Sequence, residues 1–138
     1  MIRRIAAGST WEDRIGYARA VVANGMVFVS GTTGTDHATG EIPESVTAQC
    51  ELALDIIGAA LARAGVGFAD VVRVTYVLPD RRDFEPCWPV LRERFGGAPP
   101  AAMMIEAGLI DPRHRIEIEV TAVLPPGAAS PDVAFPNG

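Results

Sequence analysis

Two carboxylates near the C-terminal end of the chain, Glu117 and Glu119, alternate with apolar residues. In a β-strand, residues i and i+2 lie on one face, roughly 6.6 Å apart. A carboxylate that points into a cleft, with its pKa raised by burial, can position or deprotonate a water molecule. An ordinary solvated strand face produces the same alternation. The pattern therefore leaves both interpretations open.

Three other side chains are candidates for ligand binding. Tyr17 and Arg19 share a face at the start of a predicted hairpin, where they could offer a hydroxyl and a guanidinium. The alternative is an edge-strand aromatic beside an exposed arginine. Arg73 lies on the mixed face of its predicted strand and could pair with one of the two glutamates or clamp a carboxylate. A salt bridge at the rim is the simpler interpretation for Arg73.

The composition excludes several classes of protein. The chain has 138 residues, of which 49% are apolar, so it forms one domain with a core. All twelve basic residues are arginine, and the absence of lysine excludes Schiff-base chemistry and a Walker A loop. The net charge of −5 gives little attraction for a phosphate backbone, so no nucleic-acid partner is expected.

Neither the cysteines nor the histidines have metal-ligand spacing. Cys50 and Cys87 form no CxxC pair, and the two histidines lie far apart, so no metal site is expected. Residues 1–10 lack the apolar core of a signal peptide, and no apolar run approaches the roughly 18 residues of a membrane span. The sequence therefore predicts a cytoplasmic protein with reduced thiols and no membrane contact.

The strongest local signal is Asn24-Gly25, which lies between two β-prone runs and predicts a hairpin. Ser45 is the expected N-cap of a helix that Gly65 ends, and Asp83 is the expected cap of a second helix. The predicted strands cover 2–6, 17–23, 26–30, 70–78, 101–107 and 114–124, and the second helix covers 83–95. A Pro/Gly/Ala-rich tail follows from Pro125.

This order of elements predicts an α+β fold whose two helices cover one face of a single sheet. Val27 and Val29 alternate with Met26 and Phe28, so the second strand of the hairpin is apolar on both faces. An uncovered, half-apolar sheet face needs a partner. Self-association is therefore expected, because most soluble oligomers are homo-oligomers with closed symmetry.

The motifs taken together resemble the Rid (reactive intermediate deaminase) family, also called YjgF-like and often labelled endoribonuclease L-PSP. The matching pieces are IGYARAV at 15–21, VFVSG at 27–31, TGEIP at 39–43, DVVRVTYVL at 70–78, DF at 83–84, PPAAMMIEA at 99–107 and IEIEVTAV at 116–123. The resemblance covers about residues 10–124, which favours one domain over 1–124 and a tail over 125–138.

The resemblance implies a chorismate-mutase-like α+β fold that assembles as a homotrimer with three clefts between subunits. It also implies hydrolysis of imines and enamines, such as 2-iminopropanoate, to a keto acid and ammonia, without a metal or an organic cofactor. Carried over to this chain, Glu117 matches the glutamate that holds the attacking water. Tyr17 matches the tyrosine that lines the cleft, and Gly31 matches the glycine of the S-G segment.

Other positions depart from the family pattern. Ala102 stands where the family has the arginine that binds the substrate carboxylate, and Met103 and Met104 follow it. Trp88 falls at a cleft position that is often asparagine, and Thr32 falls at one that is often glutamine. Loss of the guanidinium removes a charge-assisted hydrogen bond worth about 1.5–3 kcal/mol. Alanine, methionine and tryptophan make the cleft more apolar, which favours a neutral or larger ligand and raises the proton affinity of the glutamate.

Two functions follow from this pattern. The first is a hydrolytic imine or enamine deaminase with a non-standard substrate, in which Arg19 is a candidate replacement for the missing anion clamp. The second is a non-catalytic trimer that binds a metabolite or acts through partners. Ribonuclease activity rests on the family label alone, and an acidic chain without lysine or an acid–base histidine pair argues against it.

Overall fold

The computed structural model describes residues 1–126, which form one six-stranded sheet. The strand order is β1-β2-β3-β6-β4-β5, and every neighbouring pair is antiparallel except β4 and β5. The strands are β1 Ile2–Ile5, β2 Ala20–Ala23, β3 Met26–Thr33, β4 Val71–Leu78, β5 Ala101–Glu106 and β6 Glu117–Val123. The β2–β3 turn has positive φ at Asn24 and Gly25, which confirms the predicted hairpin.

Within residues 1–126, three α-helices accompany the sheet: α1 Thr10–Ile15, α2 Val46–Arg63 and α3 Trp88–Phe95. Helix α2 begins where the sequence predicts, because the Ser45 side chain accepts a hydrogen bond from the Ala48 amide at 3.1 Å. No helix among the described residues is long and apolar enough to cross a membrane.

Helices α2 and α3 pack on one face of the sheet. Leu54, Ile57 and Leu61 of α2 are fully buried in this core. Each strand contributes every second residue to this core, because residues i and i+2 of a strand lie on the same face. These strand residues are Val27, Val29, Val74, Tyr76, Ile118, Val120 and Ala122.

On the opposite face of the sheet, called the open face below, no helix of the described part of the chain covers the apolar residues. Phe28 is 45% exposed and Met103 is 44% exposed, and Ile105 and Val123 lie on the same side. The prediction that the β3 strand is apolar on both faces is therefore confirmed, because Val27 is fully buried while Phe28 is not.

The sequence prediction of two helices was incomplete. Ser9 is the N-cap of helix α1, and its side chain accepts a hydrogen bond from the Trp11 amide; Gly16, in the left-handed conformation, is the C-cap. Ser9 and Glu12 have the spacing of a capping box, which is the signal that the sequence analysis overlooked. The helix takes up residues 10–15, and β2 consequently begins at Ala20 and not at Tyr17.

The second predicted helix, 83–95, is shorter than expected. Two turns of 3-10 helix, Arg81–Asp83 and Glu85–Cys87, precede α3. Asp83 is therefore not the cap of α3, and its carboxylate pairs with Arg115 at 2.8 Å instead. Pro89 lies in the first turn of α3, where a missing amide hydrogen costs nothing.

A β-bulge places one residue of β4 on a different face from the one predicted. The pairing of β4 with β6 shifts between Val71 and Arg73, so Val72 leaves the buried face and is exposed. The remaining alternation of β4 is as predicted, with Val74, Tyr76 and Leu78 buried. The tail expected from Pro125 lies, from residue 127 onward, outside the described residues.

Candidate functional site

A cavity of about 830 Å³ opens between α1, the end of β3, the 109–114 loop and the start of β6. It is called the Glu117 cavity here. Its polar lining includes Tyr17, Thr33, His114 and Glu117, and Trp11 and Ile15 of α1 form an apolar wall. The cavity therefore combines a carboxylate, a phenol, an imidazole and a hydroxyl in one place.

Glu117 is the first residue of β6 and is half-buried between β3 and β4, where it pairs with Thr33 and Val77. Burial raises the pKa of Glu117, the nearby charge of Arg19 lowers it, and Glu119 raises it further. The net direction is upward, so this carboxylate binds a proton more readily than an exposed glutamate does. That property suits a group that takes a proton from water and later returns it.

Gly31 provides the space that the Glu117 side chain occupies. A Cβ atom on Gly31 would lie 2.6 Å from Glu117 Oε2 and 3.2 Å from its Cδ. Any side chain at this position would displace the carboxylate from its present place. The absence of a side chain at residue 31 is therefore part of the geometry of the site.

Arg19 lies beneath the cavity and is 3% exposed. Its guanidinium donates to the Gly31 carbonyl at 3.1 Å, to Thr32 Oγ1 at 2.8 Å and to Tyr17 Oη at 3.3 Å. It also forms an ion pair with Glu12 at 3.8 Å. The expectation of an exposed arginine was wrong, and the structure does not support a role for Arg19 as a free anion clamp. Arg19 instead holds Tyr17 and the Gly31 backbone in position.

Thr32 was expected among the ligand-binding residues, but it is buried on the helix-covered face. Its hydroxyl donates to the Ser30 carbonyl at 2.8 Å and accepts from Arg19. The pairing register of β3 and β6 shifts between Val29 and Thr32. Because of this irregularity, Gly31 and Thr33 face the cavity while Thr32 points away from it.

Three residues of this region, Thr35, His114 and Gln49, were not foreseen. Thr35 Oγ1 lies 2.8 Å from His114 Nε2, and the hydroxyls of Thr33 and Thr35 are 3.4 Å apart. Gln49 of α2 is fully buried and fixes the loop that carries His114. The histidine carried no sequence signal because its partners lie far away along the chain, and only the fold brings them together.

A second, apolar groove of about 380 Å³ lies between α3 and the β4–β5 edge. It is called the aromatic groove here. Ala102 and Met104 form its floor, and Trp88 stands at its side. The rings of Tyr76 and Phe84 are 5.4 Å apart, and those of Phe84 and Trp88 are 6.2 Å apart.

The predicted site residues therefore fall into separate places within one chain. Tyr17, Gly31 and Glu117 share the Glu117 cavity, while Trp88, Ala102 and Met104 line the aromatic groove. Met103 lies on the open face, because neighbouring residues of a strand point to opposite sides.

Other candidates have structural roles or no contact. Within residues 1–126, no ion pair joins Arg73 to Glu117 or Glu119. Cys50 and Cys87 are fully buried, and their mutual contact and burial raise the pKa of the Cys50 thiol, so it stays protonated. No three His, Cys, Asp or Glu side chains in the described part of the chain are grouped to hold a metal ion.

The sequence is similar to known proteins over nearly its whole length. A 2-iminobutanoate/2-iminopropanoate deaminase of Capra hircus is 33% identical over 128 residues, covering 91% of this chain and 93% of the relative. Protein DfrA of Myxococcus xanthus is 35% identical over 130 residues, covering 88% of this chain and 99% of the relative.

The fold comparison agrees. The crystal structure of Rv2704 from Mycobacterium tuberculosis, described as a member of the YjgF/YER057c/UK114 family, superimposes with a TM-score of 0.82 at 34% identity. The match covers 90% of this chain and all of that one. The family model described as endoribonuclease L-PSP matches residues 10–124. The chain is therefore a member of the Rid/YjgF family.

Proposed function

We propose that this protein is a hydrolytic deaminase of imines or enamines that works in clefts between the subunits of a homotrimer. The observation that carries the proposal is the Glu117 carboxylate, half-buried in a cavity with Tyr17 and with a raised pKa. The names of relatives such as the Capra hircus deaminase favour the same reaction class.

The reaction replaces a C=N bond by a C=O bond. The water oxygen forms a bond to the carbon of the protonated imine while Glu117 takes one of the water protons, and the π electron pair moves to nitrogen, which gives a neutral carbinolamine. Glu117 returns its proton to nitrogen and takes the hydroxyl proton, and the C–N electron pair leaves with ammonia as the hydroxyl oxygen forms the carbonyl bond. Glu117 suits the first step because its ionised carboxylate accepts the water proton. Its raised pKa stabilises the protonated carboxyl group, which then donates the proton to nitrogen.

The substrate we propose is neutral or carries a bulky apolar substituent. Ala102 supplies no guanidinium for a carboxylate, and Arg19 is buried beneath the cavity with its own partners. The aromatic groove around Ala102, with Trp88 and Met104 in its walls, fits an apolar group in preference to an anion. A small 2-imino acid would leave that groove unfilled.

Assembly as a trimer would join the two halves of the site. In one chain the Glu117 cavity and the aromatic groove lie apart, and the open face exposes Phe28 and Met103. Burial of the open face against a neighbour would stabilise the assembly. The same contact would bring the groove of one subunit to the cavity of the next.

The test is an imine-hydrolysis assay. Imines are generated from a panel of amino acids and amines by an oxidase, and their decay is trapped with semicarbazide. Wild type is compared with Glu117→Gln and with Glu51→Gln, an exposed carboxylate of α2. We expect acceleration that is lost in Glu117→Gln, retained in Glu51→Gln and greatest for bulky or neutral imines. Equal rates for wild type and Glu117→Gln would contradict the mechanism.

The second candidate is a trimer that binds a metabolite without turning it over, and the loss of the family arginine at Ala102 favours it. Ligand binding at the cleft without acceleration for any imine would establish this alternative. The cytoplasmic location expected from the sequence stays a prediction.

A further inference from the structure

A chain of side-chain hydrogen bonds runs along the wall of the Glu117 cavity from Thr33 to His114, both of which line the cavity. Thr33 is paired with Glu117 across the β3–β6 ladder and lines the cavity. Its hydroxyl lies 3.4 Å from that of Thr35, and Thr35 Oγ1 lies 2.8 Å from His114 Nε2. The imidazole of His114 is therefore connected through the Thr35 hydroxyl to the hydroxyl of Thr33, the strand partner of Glu117.

Gln49 fixes both ends of this chain. Its Nε2 donates to the Arg113 carbonyl at 3.0 Å, and its Oε1 accepts from the Arg115 amide at 2.8 Å. These are the residues on either side of His114. Gly34, between Thr33 and Thr35, packs directly against the Gln49 backbone, and a Cβ on Gly34 would lie 2.5 Å from the Gln49 Cα. One buried residue thus holds the imidazole and the threonine segment in register.

We propose that His114 is a second proton acceptor of the site and that it acts on the bound substrate through Thr35 and Thr33. This inference rests on the proposed deaminase function. Glu117 alone has to exchange protons with both the oxygen and the nitrogen of the carbinolamine. A second acceptor divides these tasks between two groups that line the cavity.

The proton transfers balance as follows. A protonated imine, C=NH₂⁺, takes the water oxygen at carbon, and Glu117 takes one water proton, which gives a neutral carbinolamine. Glu117 then returns that proton to nitrogen. The hydroxyl proton passes to Thr33, the Thr33 proton passes to Thr35, and the Thr35 proton passes to His114 Nε2. The C–N electron pair leaves with ammonia, the C=O bond forms, and the imidazolium releases its proton to solvent.

The charges around His114 are compatible with this role. Asp111 and Arg113 lie on its own turn, Asp36 follows Thr35, and Tyr17 and Glu117 share the cavity. Burial has the largest effect and lowers the pKa of His114, so the imidazole is neutral near pH 7 and free to accept a proton. The pKa of Glu117 moves the other way, which is the pattern of a site with two proton-transfer groups.

The test compares His114→Gln with His37→Gln, a substitution of the other histidine, which lies on an exposed loop. Glutamine has an amide oxygen that can accept the hydrogen bond from Thr35, but it does not take up a proton as an imidazole does. With an imine substrate that the wild type turns over in a Glu117-dependent manner, we expect kcat to fall on the order of 100-fold in His114→Gln. We expect no change in His37→Gln. Thr35→Val should lose activity as His114→Gln does, while Thr35→Ser should retain it.

The pH profile distinguishes proton transfer from a structural role. Both acceptors must be deprotonated, so on the acid side log kcat of the wild type should rise with a slope that approaches two. In His114→Gln the slope should approach one. The proposal is overturned if the slope and kcat of His114→Gln equal those of an active wild type. A wild type without Glu117-dependent hydrolysis of any imine overturns it together with the function on which it rests.

Discussion

Gly31 lies two residues before Thr33, the strand partner of Glu117, and its missing side chain makes room for the Glu117 carboxylate. A Cβ on Gly31 would stand 2.6 Å from Glu117 Oε2, closer than these atoms can approach. The space in the site is thus set on β3, while the acid–base group lies on β6. A change at residue 31 therefore tests the position of Glu117 without altering its chemistry.

We predict that Gly31→Ala lowers imine hydrolysis on the order of 100-fold while the protein stays folded. The methyl group moves the carboxylate by about 1 Å, which is enough to misplace a reacting group. The measurement is kcat/KM for the best substrate, with thermal unfolding as the check on folding. Gly67→Ala is the matched control, because a Cβ at that position meets no atom within 4 Å. Unchanged turnover in Gly31→Ala would mean that the carboxylate position is not critical.

The free energy of unfolding should depend on pH because folding raises the pKa of Glu117. The pKa of the folded state lies above the ordinary value of 4.5, so the ionised carboxylate is disfavoured by folding. Its contribution to stability is fully present below about pH 4.5 and is lost as the pH rises through the raised value. The free energy of unfolding of wild type minus that of Glu117→Gln should therefore decrease over this pH range. Urea unfolding at a series of pH values measures it, and a difference that does not change with pH would contradict the burial of the charge.

The open face should carry the contacts of the trimer. Phe28→Glu introduces a charge on the open face, which we expect a neighbouring subunit to cover. Burying an unpaired charge is costly, so the variant should sediment as a smaller species than the wild type. Ala62→Glu places the same charge on the exposed side of α2 and should leave the wild-type assembly intact. A wild type that sediments as a monomer would remove the joined cleft from the proposed function.

Local signals explain which parts of the fold could be predicted. The Asn24-Gly25 turn, the Ser45 cap and the periodicity of α2 are encoded by neighbours in sequence, and each was found where expected. The β-bulge that exposes Val72 arises from pairing between distant strands, so the alternation of β4 alone could not reveal it. Asp83 was expected to cap the second helix, but its carboxylate pairs with Arg115, which is 32 residues away.

The site residues likewise fall into those that the sequence could predict and those that it could not. Glu117, Tyr17 and Gly31 were identified through the resemblance to a family, because their motifs keep their order along the chain. The sequence did not reveal that Arg19 and Thr32 are buried, because their burial follows from the irregular register of β3 against β6. His114 lies 79 residues from Thr35, and no short motif connects them. Partners of this kind become visible only when the sheet is assembled.

The last prediction concerns Ala102, which lines the aromatic groove where the family pattern has an arginine. Ala102→Arg should increase kcat/KM for 2-iminopropanoate about 10- to 150-fold, because a charge-assisted hydrogen bond to a carboxylate is worth about 1.5–3 kcal/mol. Ala102→Gln has a comparable reach without the charge and should give little gain. Since Trp88 stands beside this position and could block the new side chain, the double variant Ala102→Arg/Trp88→Asn is measured in parallel.

The bulky imines preferred by the wild type should lose rate in both arginine variants, because the guanidinium and its water occupy the apolar groove. Preference is therefore measured as the ratio of kcat/KM for the two substrate classes. A ratio that stays at the wild-type value in both backgrounds would show that the residue at position 102 does not determine substrate choice. The apolar groove would then have to be explained by something other than the substrate.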